Sequence, residues 1–147
     1  MLNPDFRDIL RELNAADARY LVVGAYALAA HGFPRATGDL DIFVLATPAN
    51  AERVWAALTR FRAPLDELRT SDLTNPEIVF QIGIAPRRVD ILTSIDGVAF
   101  DEAWDHRIEI TVDGVPIPVL GKSDLIRNKR AVGRPQDLAD IARLEDG

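Results

Sequence analysis

Tyr20-Leu21-Val22-Val23-Gly24-Ala25-Tyr26-Ala27-Leu28-Ala29-Ala30-His31-Gly32-Phe33-Pro34-Arg35-Ala36-Thr37-Gly38-Asp39-Leu40-Asp41-Ile42-Phe43-Val44 is the stretch on which the fold turns. Its first four residues are a short apolar run of the kind that forms a buried strand. Gly24 follows, and residues 25–30 read as a small helix stopped by Gly32 and Pro34. The loop over 33–38 leads into a second strand over 39–44. On that strand Asp39 and Asp41 stand at i and i+2. Side chains two apart on a strand share a face, so both carboxylates project together while Leu40, Ile42 and Val44 turn to the core. Their Cα atoms lie roughly 6.5–7 Å apart at strand rise. Two carboxylates held this way repel each other, and a hard divalent cation relieves the repulsion.

The flanking elements extend the pattern. Upstream, Asn3 caps and Pro4 opens an amphipathic helix with Phe6, Ile9, Leu10 and Leu13 at helical spacing. Downstream, Thr47-Pro48 open a helix with Ala51, Val54, Trp55 and Leu58 on one face. Residues 64–76 are polar and carry no clear pattern. Residues 78–84 and 88–92 read as strands, and 100–105 as a helical turn. Residues 107–112 and 115–119 flank Asp113-Gly114, a two-residue hairpin turn. Helices are expected over 123–132 and, after Gly133 and Pro135, to Leu144. Strand, helix, strand, helix and then several strands is not the regular alternation of a doubly wound fold. The expectation is an α/β (α+β) chain with a mixed sheet flanked by helices. It is read as a single domain over 1–147, with a core over about 18–120 and a short C-terminal helical tail over about 123–144.

Composition narrows the chemistry. The chain has 147 residues and no cysteine, which removes thiolate metal sites and cysteine nucleophiles. Lys and Arg number 17 against 23 Asp and Glu, for a net charge of −6. That argues against a general nucleic-acid coat protein, whose footprint is basic. No apolar run reaches the 18 or so residues of a membrane span, and the N-terminus does not read as a signal peptide. A cytoplasmic protein without a membrane partner is expected.

A third carboxylate completes the constellation. Asp90 interrupts the apolar strand Arg88-Val89-Asp90-Ile91-Leu92. If that strand lies beside the Asp39–Asp41 strand, three carboxylates meet on one sheet surface, as two-metal phosphoryl chemistry requires. Gly24 opens a helix after a buried strand, where backbone N–H groups favour phosphate and the missing Cβ allows close approach. No Gly-x-Gly-x-x-Gly and no Walker-type lysine loop is present, which disfavours the two commonest nucleotide folds.

Taken together, Gly24 through Asp41, with Arg35-x-Thr37-x-Asp39-x-Asp41, resembles the nucleotidyltransferases of the DNA polymerase β-like superfamily. The form is similar to small stand-alone bacterial enzymes and to the transferase toxins of toxin–antitoxin and abortive-infection systems. Lys129 through Ile141 also matches their K-x(4)-R-x-x-D-x-x-D pattern, so the resemblance spans residues 18–144. It implies the polymerase β-like fold. It further implies transfer of an NMP from an NTP such as ATP to an acceptor hydroxyl on RNA (a tRNA end), a protein or a small molecule. Asp39, Asp41 and Asp90 would hold Mg²⁺, or Mn²⁺ in its place, and carry the catalysis. Gly24, Ala25, Arg35, Thr37, Lys129 and Arg134 would bind the nucleotide. An antitoxin or other partner protein is also implied. One departure is Ala25, where the family has Ser or Gly after the glycine; Ala25 keeps the N–H but offers no hydroxyl.

Residues 122–134 hold Lys122, Arg127, Lys129, Arg130 and Arg134 against one acid, Asp124. The run reads equally as a solvated helix face or as a triphosphate clamp or acceptor platform. Asp137 and Asp140 either orient Lys129 and Arg134 or favour the N-terminus of the last helix, and the second role is preferred. The competing function is a catalytically weak nucleotide-binding or antitoxin-like module on the same fold. A third is a phosphodiesterase using the same carboxylates.

Overall fold

The computed structural model describes residues 2–33, 38–84 and 87–146. In chain order the elements are α1 (Pro4–Ala15), β1 (Tyr20–Val23), α2 (Gly24–Ala30), β2 (Leu40–Val44), α3 (Pro48–Phe61), β3 (Val79–Ile82), β4 (Val89–Leu92), α4 (Phe100–Asp105), β5 (Ile108–Val112), β6 (Val115–Val119), α5 (Lys122–Val132) and α6 (Pro135–Asp146). The local signals explain most of them. Asn3 Oδ1 accepts from the Asp5 N–H at 2.8 Å, and Thr47 caps α3 through the Asn50 N–H. Asp113 and Gly114 take φ of +53° and +78°, the conformation that a tight two-residue hairpin needs.

The strands form one mixed sheet in the order β3-β4-β2-β1-β6-β5. β2 runs antiparallel to β1 and parallel to β4, and β6 runs parallel to β1. The antiparallel β1–β2 pair at the centre is what rules out a doubly wound sheet. Strand direction also gathers particular ends. The C-terminal ends of β1 and β6 and the N-terminal ends of β2 and β4 lie at one end of the sheet.

Both faces of β2 are covered. Leu40, Ile42, Phe43 and Val44 are all buried, and Phe43 packs edge-on against Phe100 with ring centroids 5.0 Å apart. The face that carries Asp41 therefore also belongs to the core, a side chain further along. On the opposite face Leu10 of α1 meets Val22 and Leu40, and α3 packs on α1. Buried Asn50 pins α3 to the sheet: its side-chain amide donates to the carbonyls of Arg19 and Leu45 and accepts from the Arg19 N–H at 2.7 Å.

Two segments differ from the sequence reading. Within residues 64–76 the chain makes a 3₁₀ turn at Thr70–Thr74, fixed by the Arg69 N–H on Asp72 and by fully buried Leu73. The segment's apolar anchors, Leu65, Leu68 and Leu73, are irregularly spaced and leave no periodicity to read. β3 stops at Ile82 because Gly83 turns to a φ of +83°.

The α5–α6 corner is held by charge. Lys129 Nζ lies 2.9 Å from Asp140 and 3.6 Å from Asp137, with all three residues buried. Arg134 grips Asp137 through Nε at 2.7 Å and Nη2 at 3.1 Å. That guanidinium holds the Asp137 carboxyl below the usual carboxylate range. Removing one partner of a buried pair leaves an uncompensated charge, which costs about 3–5 kcal/mol. Lys129→Met should therefore destabilise the protein by about 3 kcal/mol in urea unfolding, and an unchanged midpoint would show that the pair is dispensable.

Candidate active site

The site is built at the gathered end of the sheet. Parallel pairing sets Asp41 opposite Asp90, and antiparallel pairing sets Asp41 opposite Val23, the residue before Gly24. Asp39 lies just before β2. Three carboxylates and one glycine thus come from three adjacent strands.

Gly24 has a φ of +66°, in the left-handed region that side chains avoid. Its surroundings add a second requirement: a Cβ there would overlap the Oδ2 of Asp41 and lie 3.3 Å from its Cγ. The glycine is thus needed for the space of the carboxylate as well as for the turn. Ala25 follows as the second residue of α2.

Arg88 neutralises part of the cluster. Its Nε donates to Asp90 Oδ1 at 2.8 Å and its Nη2 to Asp90 Oδ2 at 3.2 Å. The same Nη2 lies 3.2 Å from Asp39 Oδ2, and the Arg88 backbone N–H donates to Asp39 Oδ1 at 3.3 Å. Asp41 gains least from this cation. Burial and then the charges of Asp90 and Asp39 push its carboxyl up to about 6. Tyr26 faces the same charge: burial, with Asp39 adding to it, raises its hydroxyl above the ordinary phenol range.

The donor set suits a hard divalent ion, since it supplies three carboxylates in register with excess negative charge. Among the described residues, however, no group of three acidic or imidazole side chains is arranged to hold one as it stands. The guanidinium engages two of the three carboxylates.

The structure brings together Asp39, Asp41, Asp90, Gly24 and Ala25. Arg35 and Thr37 lie outside the described residues. Lys129 and Arg134 are not brought to the carboxylates. α5 leaves β6 at the site end, but its second half lies away from it. There Asn128 donates to the Asp96 carbonyl, and Ala131 packs on Gly97, beyond the far end of β4. Lys129 and Arg134 sit in that far half and pair with Asp137 and Asp140. The motif's two acids thus orient its two bases, the role the sequence reading ranked second. His31 caps the C-terminus of α2 and holds the Leu120 carbonyl at 2.8 Å. Sequence reasoning missed Arg88 and Tyr26. Arg88 is two residues from Asp90, so both point to one strand face, and that spacing was the available signal.

No protein-family model and no curated protein sequence matches the chain. Solved structures do. The chain is similar to a Thermotoga maritima protein described as a candidate nucleotidyltransferase (TM1012), with a TM-score of 0.61 and 18% identity over 99% of this chain and 96% of that one. It is also similar to the antibiotic-resistance factor ANT(2'')-Ia, with a TM-score of 0.60 and 16% identity over 95% of this chain and 80% of that one. At these identities the likeness establishes the fold, which is nucleotidyltransferase-like. Among the described residues no helix is long and apolar enough to cross a membrane.

Asp41 has a folded pKa of about 6, above the value of 3.8 it has when unperturbed. Its protonation supports the fold fully below pH 4, and that support is lost as pH rises through 6. In metal-free buffer, stability should fall by about 2 kcal/mol between pH 4 and 7. Asp41→Asn should remove this slope; an unchanged slope would assign the titration elsewhere. Gly24→Ala should cost about 2 kcal/mol from the left-handed backbone alone. It should also shift the NMR titration of the Asp41 carboxyl, because the new methyl displaces it; an unmoved titration would refute the steric role.

Proposed function

We propose that the chain is a metal-dependent nucleotidyltransferase that moves an NMP from an NTP to an acceptor hydroxyl. The observation that carries this reading is the register of Asp41 against Asp90, beside a glycine whose missing side chain makes room for Asp41, on a nucleotidyltransferase-like fold. Asp39, Asp41 and Asp90 would hold the divalent ion, which when bound supplies charge neutralisation at the phosphates and at the leaving oxygen.

The rest falls to the chain. The backbone N–H groups of Gly24 and Ala25 would orient the triphosphate at the start of α2. Asp90, on the interior strand β4, would accept the proton of the attacking hydroxyl. The acceptor oxygen forms a bond to the α-phosphorus, the bond between that phosphorus and the bridging oxygen breaks, and pyrophosphate leaves. Arg35 would reach phosphate and Thr37 would fix the loop before β2.

ATP and Mg²⁺ are the first reagents to try, with Mn²⁺ as the alternative ion. The likeness of Arg35–Asp41 to transferase toxins directs the acceptor search to RNA, especially tRNA ends, and then to partner proteins. The similarity to an antibiotic-resistance factor adds small hydroxylated molecules. Ala25 favours a second reading, a nucleotide-binding module with little turnover, because it removes a hydroxyl that could have held phosphate.

The test incubates the protein with each α-labelled NTP, Mg²⁺ or Mn²⁺, and total RNA, a protein extract or a panel of small hydroxylated acceptors. Label transfer with pyrophosphate release is expected, falling at least about a hundredfold in Asp41→Asn and Asp90→Asn. Calorimetric binding of NTP with metal but no product in any mixture would select the binding module. Neither binding nor transfer would overturn both readings.

A further inference from the structure

We infer that Arg88 is a tethered counter-ion that competes with the divalent cation, so that the ion binds only as the guanidinium leaves. This rests on reading Asp39, Asp41 and Asp90 as the metal ligands, and it adds a positioning role for a residue that reading does not include.

Occupancy of the oxygens carries the argument. Both oxygens of Asp90 accept N–H donors from the Arg88 side chain, at 2.8 and 3.2 Å. Asp39 Oδ2 lies 3.2 Å from Nη2, and Asp39 Oδ1 accepts the Arg88 backbone N–H. Of the three carboxylates, only Asp41 is free of a hydrogen bond from Arg88. A divalent ion held by all three would share carboxylate oxygens that the guanidinium now engages, drawing their electron density away from those contacts. Its own positive charge would also stand a few ångströms from the guanidinium, where like charges repel strongly. Both effects expel the side chain from its present position.

Exit is open to it. The Arg88 side chain is about one-third exposed, whereas Asp90 is 11% exposed and cannot follow. Arg88 also stands at the start of β4, so its backbone can stay paired with Asp39 while the side chain turns outward. In the metal-free protein the same cation relieves the repulsion among three carboxylates. Arg88 therefore supports the empty site and weakens the filled one.

The experiment titrates Mn²⁺ into the intact chain and reads free ion by electron paramagnetic resonance, for wild type, Arg88→Lys and Arg88→Gln. Lysine keeps the charge but reaches one carboxylate at a time. The expected order of affinity is wild type, then Arg88→Lys, then Arg88→Gln, with Arg88→Gln at least tenfold tighter than wild type. In the absence of metal Arg88→Gln should melt below wild type, and saturating Mn²⁺ should close that gap. On wild type, diamagnetic Mg²⁺ should shift the Arg88 Nε–H NMR signal and speed its exchange with water. Equal or weaker Mn²⁺ binding by a folded Arg88→Gln, or an Nε–H signal unmoved at Mg²⁺ saturation, would overturn the inference and leave the metal site standing. No Mn²⁺ binding by any of the three proteins would overturn both.

Discussion

The pairing of Asp41 with Asp90 across β2 and β4 is the constraint that the surrounding structure accommodates. Neighbouring strands lie about 4.8 Å apart, and like charges directly opposite one another destabilise a sheet. Here the two carboxylates sit on interior strands rather than at an edge, so neither can swing fully into water. The penalty is limited because the next residues are so well buried. Leu40, Ile42 and Phe43 are each no more than 2% exposed. At roughly 1.5–3 kcal/mol for each fully buried large apolar side chain, these three exceed the cost of raising one carboxyl to about 6. The core enforces the register, and the register enforces the repulsion.

That balance explains which parts of the molecule the sequence reveals. Residues 20–44 announce themselves because apolar runs, a glycine and alternating acids each follow from backbone geometry over a few residues. The 113–114 hairpin is legible for the same reason. The order of the strands is not, because it depends on partners far apart in the chain: nothing near Asp41 specifies that β4, which carries Asp90, will pair with β2. The Asp90 assignment rested on a conditional, that its strand lies next to β2, and the pairing meets it. Asn50 and Leu73 were unreadable for a related reason. Neither belongs to a periodic pattern, and the meaning of each appears only when the carbonyls or core it meets are in place.

Lys129 and Arg134 show the converse, a strong sequence pattern whose meaning depends on where a helix ends up. A basic run matched to a motif reads naturally as an anion clamp. But the second half of α5 lies with Asp96 and Gly97, past the far end of β4. There the bases meet Asp137 and Asp140 of α6, and the spacing K-x(4)-R-x-x-D-x-x-D becomes the spacing of a helix corner. Asp140 and Asp137 lie one turn apart on α6, and both reach Lys129. In this chain that spacing closes the tail on the core through buried ion pairs.

Gly24 and Arg88 answer the same repulsion from opposite sides. From the β1 side, Gly24 yields space: with no Cβ, it lets the Asp41 carboxylate settle against the turn. From the β4 side, Arg88 supplies charge to Asp39 and Asp90. Asp41 lies between the two and receives room from one and little charge from the other, so burial, with the charges of Asp90 and Asp39 adding to it, pushes its carboxyl up. The same division clarifies Ala25. The steric demand at the turn falls on position 24, where any side chain would strike a carboxylate. Position 25 has only to contribute a backbone N–H, which alanine does. On the proposed reading, the departure at Ala25 would remove a phosphate ligand without disturbing the carboxylates, and its consequence would fall on nucleotide affinity rather than on the integrity of the site.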